Sequence, residues 1–515
     1  MFMNAIKETL NDEYNVSVTE NGALGYRTSG KDLLDLNFSV ASLRSASEEE
    51  IVRKFMKAFA ENKVLAMKWL FFARDAREGL GERRLFRVVI STLVKSNPEM
   101  IIPVIGLIAE YGRYDDMWCL LDNEESAAVI YNLVDAQLET DLKNMLENKP
   151  ISLLAKWMPS ANASSAQTKK YAKKLRKALN LTEREYRIAL SKFRKYLDVV
   201  EVKMSSKNWS EINYETVPSR ANLIYNGAFL RNDEARRREY LGQLEKGEVK
   251  INASTLYPHD IVHKYMSGGY WSSLKSKDAT IEGLWKALPD NVQGCGNTIV
   301  VADGSGSMTC NVGNTRVTAL DVANALAIYF AERSSGQFKD KYITFSERPQ
   351  LVDLSNCKSL HGKLQKALAH DEVANTNIEA VFDLILTTAI KNNMSQEDIP
   401  QNVLIISDME FDRCATSNSK DYWNRRPDQR LFKVIAKKYE DAGYKLPRLV
   451  FWNVNSRTGT IPVKENDLGV ALVSGFSTNI CKMVMSGNTD PYECLLETLN
   501  SERYDAVEAA LTTQN

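Results

Sequence analysis

Residues 297–308 read NTIVVADGSGSM, an apolar run rich in β-branched residues that ends at Asp303 and gives way to a polar, glycine-rich loop. Further apolar runs of strand length follow, reading KYITF, QLVDL, NVLIIS, RLVFWNV and VALVSGF, and amphipathic segments of helical length lie among them. Short buried strands that alternate with helices predict a parallel, doubly wound sheet. Ligands of such sheets bind beyond the carboxyl ends of the strands, so we expect a binding site near Asp303.

Oxygen-bearing side chains follow these strand ends. Asp303, Ser305 and Ser307 form a D-x-S-x-S pattern, Thr376 precedes a helix that starts near residue 378, and Asp408 comes directly after an apolar strand. A hard cation such as Mg²⁺ takes oxygen ligands in octahedral geometry and is usually held by few carboxylates. These five side chains therefore predict one Mg²⁺ site, with Mn²⁺ or Ca²⁺ as alternatives. The alternative interpretation, that the serines cap the next helix and Asp303 merely ends a strand, does not account for Thr376 and Asp408.

This order of motifs resembles the metal-ion-dependent adhesion site (MIDAS) of von Willebrand factor A domains. The resemblance implies a binding device, in which an acidic side chain or a phosphate of a partner completes the cation's coordination shell. A metal-dependent nuclease that uses Asp408, Glu410 and Asp412 is a weaker alternative, because two-metal chemistry needs a second carboxylate cluster and these acids crowd one loop. We therefore expect no catalytic residues and no enzyme.

The composition limits the partners and the compartment. The chain has 515 residues, which indicates two or three domains. Its 66 Lys and Arg side chains balance 66 Asp and Glu, so nucleic-acid binding would need a local basic patch. Seven dispersed cysteines favour reduced thiols. Because we find no secretory signal and no apolar run of about 20 residues, we expect a cytoplasmic protein without a membrane partner.

From residue 47 to about 293 the chain has a helical pattern. Apolar residues recur at three- and four-residue spacing, and short breaks with Gly, Asn or Pro separate the segments. This pattern predicts a ring or superhelix of HEAT-like α-helical repeats. The predicted fold class is thus α + α/β. Its expected parts are a lead-in at 1–45, a helical repeat domain at 46–293, an A-type domain at 294–505 and a tail at 506–515.

Several strings in the helical half carry a second resemblance. They are EGLGERR at 78–84, YGRYDDMW at 111–118, AKWMPS at 155–160 and LYPHDIV at 256–262, followed by DGSGSM at 303–308. Together they resemble the Ro autoantigen-like (TROVE-type) proteins, and more closely a related family of uncharacterised function that joins a similar helical half to a C-terminal A domain. The resemblance implies a helical ring that binds single-stranded RNA ends and small structured RNAs. It implies a role as RNA chaperone, quality-control factor or scaffold.

A basic segment in the helical half offers a surface for RNA. Residues 168–197 hold eleven Lys or Arg against two Glu, and side chains clustered on a helix would bind phosphates in a salt-dependent way. The expected RNA-contacting residues are Lys169, Lys170, Lys173, Arg176, Lys177, Arg187, Lys192, Arg194 and His259. Interleaved aromatic residues that would stack on bases are Tyr171, Tyr186, Phe193 and Tyr196. The alternative interpretation is a solvated helix face with the aromatic residues in the core.

Two further groups have structural interpretations as their first alternative. Arg113 and its neighbours Asp115 and Asp116 predict a buried salt-bridge network, with RNA contact second. His259 and His263 share a helical face, but no third ligand is evident, so a structural pair is favoured over zinc. Arg231 and residues 236–238 form a second basic group.

The competing functional class is a protein–protein scaffold whose A domain grips an acidic partner through Mg²⁺. The sequence leaves the oligomeric state open.

Overall fold

The chain forms two compact units, each built from segments that are distant in sequence. The computed structural model describes residues 14–20, 24–266, 274–292, 297–346, 348–370, 377–410, 429–462, 470–481 and 490–513, with positions 3, 6 and 10. The first unit, which we call the sheet unit, comprises Met1–Glu61 and Leu256–Thr498. The second, the helical unit, comprises Asn62–Thr255 and Leu499–Asn515.

The described elements up to residue 255 are mostly helical. In chain order they are β1 Val16–Val18, β2 Leu24–Tyr26, α1 Asp32–Phe38, α2 Val40–Leu43, α3 Glu48–Glu61, α4 Lys63–Arg74, α5 Arg83–Ser96, α6 Pro98–Ile101, α7 Ile108–Tyr111, α8 Glu124–Leu146, α9 Leu154–Trp157, α10 Ala166–Ala178, α11 Glu183–Tyr196, α12 Val200–Ser205, α13 Ser219–Asn232 and α14 Glu234–Lys246. Short 3₁₀ turns lie at Ile102–Leu107, Tyr114–Leu120 and Trp209–Glu211.

The described elements from residue 256 onward alternate between helices and strands. They are α15 Pro258–Met266, α16 Ala279–Lys286, β3 Thr298–Asp303, α17 Ala319–Arg333, β4 Lys341–Phe345, β5 Leu351–Asp353, α18 Leu360–Leu368, α19 Ile378–Lys391, β6 Asn402–Ser407, α20 Gln429–Asp441, β7 Arg448–Asn453, β8 Val470–Ser474, α21 Pro491–Leu499 and α22 Asp505–Thr512. Short 3₁₀ turns lie at Gly306–Thr309, Gly336–Phe338, Thr478–Ile480 and Glu502–Tyr504.

Side-chain caps fix where several helices begin. The Asn62 side chain accepts a hydrogen bond from the Leu65 amide at the start of α4. Thr182 and Glu185 form a reciprocal capping box at the start of α11. Such caps satisfy amides that have no partner inside the helix. The starts of these two helices therefore follow from local sequence.

The main sheet has the strand order β5-β4-β3-β6-β7-β8 among the described residues. All neighbouring pairs are parallel except β4 and β5, which run antiparallel. The predicted sheet is therefore confirmed, with the correction that its β5 edge is antiparallel. After β3 the chain adds β4 and β5 on one side and then places β6 on the other side of β3. The strand order thus reverses between β3 and β6, and open α/β sheets bind ligands at such a switch point.

Burial explains why β3 and β6 lack a polar face. Every residue of β3 is buried, and in β6 all but the first residue are. Helix α17, whose residues 319–331 are all buried, packs against β3, β4 and β6. Strands covered on both faces have continuous apolar runs rather than alternating ones. The continuous apolar runs therefore predict the central strands of the sheet correctly.

The N-terminal segment belongs to the sheet unit. The backbones of Tyr26 and Ile461 exchange two hydrogen bonds of 2.8 Å, and the Asn453 side-chain amide donates to the Phe38 carbonyl at 2.8 Å. Helix α1 also packs against β8. These contacts tie the first residues to loops that lie more than four hundred positions later in the chain.

The C-terminal segment belongs to the helical unit. Arg503 Nε donates to Asp75 Oδ2 at 2.9 Å, and Lys68 Nζ donates to Glu508 Oε2 at 2.6 Å. Lys68 and Asp75 are almost fully buried, so these charged pairs anchor the segment from Leu499 onward.

The units therefore differ from the consecutive domains expected at 1–45, 46–293, 294–505 and 506–515. The physical reason is long-range pairing, because the lead-in joins the sheet unit and the tail joins the helical unit. An α + α/β architecture is present, whereas closure of the helices into a ring stays a prediction. Within the described residues, no helix has the length and apolar character that a bilayer crossing needs.

A buried ion network holds together the segment around residues 113–116. Asp116 is 0% exposed, and its carboxylate accepts from Arg74 Nε at 2.8 Å and from Arg87 Nε at 2.7 Å. Arg83 Nε lies 3.2 Å away, and the Arg113 amide donates at 3.0 Å. Burial opposes ionisation of Asp116, but the Arg74 and Arg87 guanidinium groups outweigh burial and lower its pKa. The predicted salt-bridge network is confirmed.

Replacing Asp116→Asn should destabilise the protein by about 3–5 kcal/mol, because Arg74 would stay buried without its carboxylate. Chemical denaturation of the full-length chain measures this loss. The matched control is Asp122→Asn, which removes an exposed carboxylate that pairs with Lys170 and Lys174. The control should cost less than about 1 kcal/mol. Equal, small losses in the two variants would contradict a structural role for Asp116.

Candidate cation site and basic surface

Two carboxylates meet at the switch point of the sheet. Asp303 is the last residue of β3, and Asp408 directly follows β6, the neighbouring parallel strand. Their side chains are 2% and 1% exposed, respectively. The carboxyl ends of adjacent parallel strands lie at the same edge, so strand pairing alone brings these two acids together.

Local hydrogen bonds orient the Asp303 carboxylate. Its Oδ1 accepts from the Ser305 amide at 2.9 Å, and its Oδ2 accepts from the Ser407 hydroxyl at 2.6 Å. The same Ser407 oxygen accepts from the Met409 amide at 3.0 Å. Ser407 therefore links the two strand ends. It is the last residue of the apolar strand that predicts Asp408, and nothing in that strand marks Ser407 itself as a site residue.

The two serines of the loop present their hydroxyls towards each other. Ser305 Oγ and Ser307 Oγ lie 3.0 Å apart. Ser305 precedes the 3₁₀ turn Gly306–Thr309, yet its side chain makes no capping hydrogen bond there. The interpretation of Ser305 as a helix cap is therefore wrong, and its buried hydroxyl stays beside Asp303.

Asp408 carries the strongest electrostatic signature of the site. Burial and the neighbouring Asp303 carboxylate raise its pKa from 3.8 to about 7, while Ser307 acts in the opposite direction. Asp408 Oδ1 accepts from the Glu410 amide at 3.2 Å. Its Oδ2 is buried and accepts no hydrogen bond from the described residues, although Arg457 Nη2 lies 3.5 Å away. A buried carboxylate oxygen in this state is under-satisfied.

Arg457 supplies a cation at the edge of the site. Its Nη2 lies 2.6 Å from Glu20 Oε2 as well as 3.5 Å from Asp408 Oδ2. Its Nη1 donates to Cys310 Sγ at 3.3 Å. Neither Arg457 nor Glu20 is among the residues predicted from the sequence. Arg457 lies in the loop after β7, another strand that ends at the same edge. This position is the one feature of the sequence that could have indicated it.

Glu410 serves a different purpose from Asp408. Its Oε1 accepts from the amides of Arg457 at 2.7 Å and Thr458 at 2.9 Å, and its Oε2 accepts from the Glu20 amide at 2.8 Å. The carboxylate is buried and saturated with donors from two loops. The Glu410 side chain therefore fixes the loop after β7.

The donor set at the strand ends fits a hard divalent cation. It offers two hydroxyls and two carboxylates that repel each other, one of which has an under-satisfied oxygen, and Mg²⁺ takes few carboxylates and keeps several waters. A cation between like charges relieves the repulsion that raises the pKa of Asp408. Among the described residues, no cluster of three or more His, Cys, Asp or Glu is arranged to hold a metal. The fit thus depends on hydroxyl ligands. Thr376 and Asp412 lie outside the described residues.

The basic segment forms two helices, α10 and α11, in the helical unit. Lys169, Lys173 and Lys177 are exposed at four-residue spacing on α10, and no described residue forms a hydrogen bond or an ion pair with their ammonium groups. Successive members are about 6 Å apart along the axis. Lys170 is also exposed but pairs with Asp122 at 2.8 Å. The unpaired set forms a continuous positive stripe, which we call the lysine stripe.

Helix α11 contributes both exposed and committed cations. Arg187 and Lys192 are exposed. Arg194 instead donates to the carbonyls of Ala155 at 2.9 Å and Met158 at 2.8 Å, and burial lowers its pKa. The RNA contact of Arg194 stays a prediction, and in this structure its guanidinium fixes the AKWMPS segment.

Arg176 is half-buried and reaches the Leu181 carbonyl at 3.4 Å.

The aromatic residues of the basic segment are mainly structural. Tyr186 and Phe193 are buried, and the Tyr186 hydroxyl donates to the Pro159 carbonyl at 2.8 Å. Tyr171 is half-buried, and Tyr196 is exposed. The alternative interpretation as core is therefore confirmed for Tyr186 and Phe193.

Two members of the second basic group, Arg236 and Arg237, are held by structure, whereas Arg231 and Arg238 are exposed. Arg237 is fully buried and donates to Asn222 and Asn226. Arg236 donates to the Trp209 and Ile212 carbonyls. Fixed in this way, these guanidinium groups are not offered to RNA.

His259 and His263 lie in the sheet unit and have separate surroundings. His259 is 6% exposed and packs against Tyr257 and Phe476. His263 Nδ1 lies 2.7 Å from Asp321 Oδ2. The burial of His259 and the pairing of His263 with Asp321 favour the structural interpretation, and the RNA contact of His259 stays a prediction.

Asp408→Asn should stabilise the metal-free protein at pH 8 by about 2–4 kcal/mol, because it removes an ionised carboxylate from a buried, like-charged site. The gain should vanish as the pH falls towards 4, since the raised pKa means that folded wild-type Asp408 is protonated there. Thermal melting in EDTA across this pH range measures the difference.

Mg²⁺ should then raise the melting temperature of the wild type and not that of Asp408→Asn. The exposed Asp441→Asn is the matched control and should respond as the wild type does. An equal Mg²⁺ response in all three proteins would contradict cation binding at Asp408.

Comparisons with known proteins place the chain in a family. The profile of a domain of unknown function, DUF7788, matches residues 297–512, and that of DUF2828 matches residues 127–298. Uncharacterized protein L728 of Acanthamoeba polyphaga mimivirus is 30% identical over 525 residues, which cover 94% of this chain and 87% of that protein. Among solved structures, the crystal structure of the Deinococcus radiodurans RO (RSR) protein covers 87% of this chain and 93% of that chain at 13% identity. Its TM-score to this chain is 0.33. The chain belongs to the same protein family as L728 of Acanthamoeba polyphaga mimivirus.

Proposed function

We propose that this protein is a non-enzymatic RNA-binding protein that also holds a divalent cation in a von Willebrand factor A-type domain. It would act as an RNA chaperone, a quality-control factor or a scaffold. RNA contact is assigned to the helical unit, and the cation to the sheet unit.

The lysine stripe carries the RNA proposal. Three exposed ammonium groups at successive turns of α10 repel one another, and no described carboxylate neutralises them. In a chain with zero net charge, repulsion within such a cluster is unfavourable unless an anionic partner binds to it. A phosphate backbone supplies regularly spaced anions and releases counterions on binding. Arg187 and Lys192 on α11 add two further exposed cations.

The sequence resemblance to TROVE-type proteins supports the same assignment. The strings YGRYDDMW and AKWMPS, which carry it, are both built into the helical unit by buried interactions. Asp116 gathers arginines around the first string, and Arg194 binds the carbonyls of the second. The strings that carry the resemblance therefore take part in contacts that stabilise the helical unit. A ring or superhelix of repeats remains the expected arrangement.

The A-type assignment is supported by the order of strands and by the donor set at their ends. Asp303, Ser305, Ser307 and Asp408 would hold the cation, and Thr376 is the expected fifth ligand. A cation bound there supplies an open coordination position that accepts an oxygen anion. Glu410 does not take part, because loop amides saturate its carboxylate. This commitment of Glu410 is why we favour binding over nuclease chemistry.

Charge reversal of the lysine stripe should weaken RNA binding. The triple variant Lys169→Glu, Lys173→Glu and Lys177→Glu should lose more than about tenfold in affinity at low salt, where tenfold corresponds to 1.4 kcal/mol. The slope of log K against log salt should fall by about 2, since each single-strand phosphate contact contributes about 0.7. Fluorescence anisotropy with labelled single-stranded and hairpin RNA, between about 50 and 200 mM salt, measures both quantities.

The matched control reverses three exposed lysines elsewhere, namely Lys95, Lys391 and Lys437, which have no described partner. It changes the net charge by the same amount. If the control loses as much affinity as the stripe variant, binding follows overall charge and the assignment to α10 fails. Absence of RNA binding by the wild type at low salt would overturn the proposal as a whole.

A second candidate function is a metal-dependent grip on an acidic protein partner. The observation that favours it is the buried Asp408 Oδ2, which accepts no hydrogen bond from the described residues beside a repelling carboxylate. A cation bound there would coordinate a Glu or Asp side chain of the partner.

Such a grip should bind an immobilised acidic peptide in Mg²⁺, release it in EDTA, and lose it in Asp408→Asn. Binding that persists in EDTA would exclude this grip. Peptide binding that is lost in Asp408→Asn, in a protein without RNA affinity, would make the grip the main function.

A further inference from the structure

A cavity of about 510 Å³ lies in the sheet unit, beside the candidate cation site. One wall comes from the N-terminal segment, including α1 and α3, and the other from the loop after β7. Cavities of this size are typical of small-molecule sites. Arg457 lines the cavity and also approaches Asp408, so the cavity and the cation site adjoin.

The cavity has an excess of positive charge. Its basic lining residues are Arg27, Arg53, Lys54, Lys57 and Arg457. Its acidic lining residues are Asp32, Asp35 and Glu50. Five cations against three acids leave a formal charge of +2. Some charges on both sides are already committed, since Asp35 accepts from the Ser29 amide and hydroxyl, Glu50 pairs with Arg53 at 3.9 Å, and Arg457 pairs with Glu20 at 2.6 Å.

Lys54 is the central cation of this cavity. Its Nζ donates to Ser39 Oγ at 2.7 Å, and no described carboxylate lies at ion-pair distance from it. The side chain is half-buried, and burial lowers the pKa of its ammonium group. A buried cation is unfavourable unless a counter-anion is near. An anionic ligand in the cavity would provide that counter-anion.

The loop after β7 faces Lys54 closely. A Cβ atom placed on Gly459 would lie 4.0 Å from Lys54 Nζ, and Gly459 has a φ of +66°, which favours glycine. Glu410 holds the amides of Arg457 and Thr458, so this loop is rigidly anchored. The cavity is therefore bounded by a fixed loop on one side and by α3 on the other.

We propose that this cavity binds the phosphate group of a phosphorylated ligand, with Lys54 as its principal cation and Arg27, Lys57 and Arg457 around it. Ammonium and guanidinium groups form short, charge-assisted hydrogen bonds to phosphate. The site needs neither the divalent cation nor the lysine stripe. The phosphate belongs either to a free nucleotide or to the 5′ end of an oligoribonucleotide.

Isothermal titration of the full-length protein with pyrophosphate in EDTA tests the proposal, because EDTA removes binding through a metal. The wild type should bind saturably. Lys54→Met should lose at least about tenfold in affinity, since it deletes a charge-assisted contact in a partly buried site. Lys57→Glu, at an exposed position of α3, should lose several-fold and does not perturb the interior. Lys437→Met, an exposed lysine outside the cavity, is the matched control and should bind normally.

The source of the phosphate is distinguished by two further titrations. Binding of a nucleoside 5′-monophosphate, with none of a 5′-phosphorylated oligoribonucleotide, supports a free nucleotide. The reverse supports an RNA end, provided that the 5′-hydroxyl oligoribonucleotide binds more weakly. Pyrophosphate binding that occurs only with Mg²⁺, or that Lys54→Met and Lys57→Glu leave unchanged, overturns the proposal. These outcomes are independent of the RNA affinity of the lysine stripe.

Discussion

The carboxylates of Asp303 and Asp408 meet at the edge of the sheet where the strand order reverses, in surroundings that exclude most water. Their proximity is set by strand pairing, and their mutual repulsion is expressed in the raised pKa of Asp408. Other polar groups at this edge contact or approach the two carboxylates. Ser407 joins the two strand ends, and Arg457 places a positive charge near the under-satisfied oxygen.

The helical unit also contains a buried carboxylate, but its charge is compensated differently. Asp116 is as deeply buried as Asp408, but guanidinium groups of the protein surround it and lower its pKa. Asp408 has a single guanidinium at 3.5 Å and a carboxylate neighbour. A fully compensated buried charge is a structural element, whereas a partly compensated one favours a bound cation. The contrast separates the stabilising cluster of one unit from the proposed cation-binding edge of the other.

The sequence predicts the central sheet well and the surroundings of the site less well. Apolar runs ending at Asp303 and Asp408 are local signals, and the strands form where those runs lie. Arg457, Glu20 and Lys54 reach the same region through tertiary folding, so no spacing in the sequence connects them. The basic segment shows a second limit of prediction from sequence, because residue type alone does not reveal which face of a helix is buried. Arg194 and Tyr186 were assigned to RNA for that reason, although they stabilise the helical unit.

The interleaving of the two units has a consequence for synthesis on the ribosome. Domains generally fold in the order in which they emerge, but here the helical unit needs residues from Leu499 onward, and the sheet unit needs both the N-terminal segment and residues up to Thr498. Neither unit has all of its parts until the chain has been made to about that point. The β1–β2 segment and α1 must wait, with their apolar faces exposed, while more than four hundred residues are added. Both units can therefore be completed only after most of the chain has been synthesised.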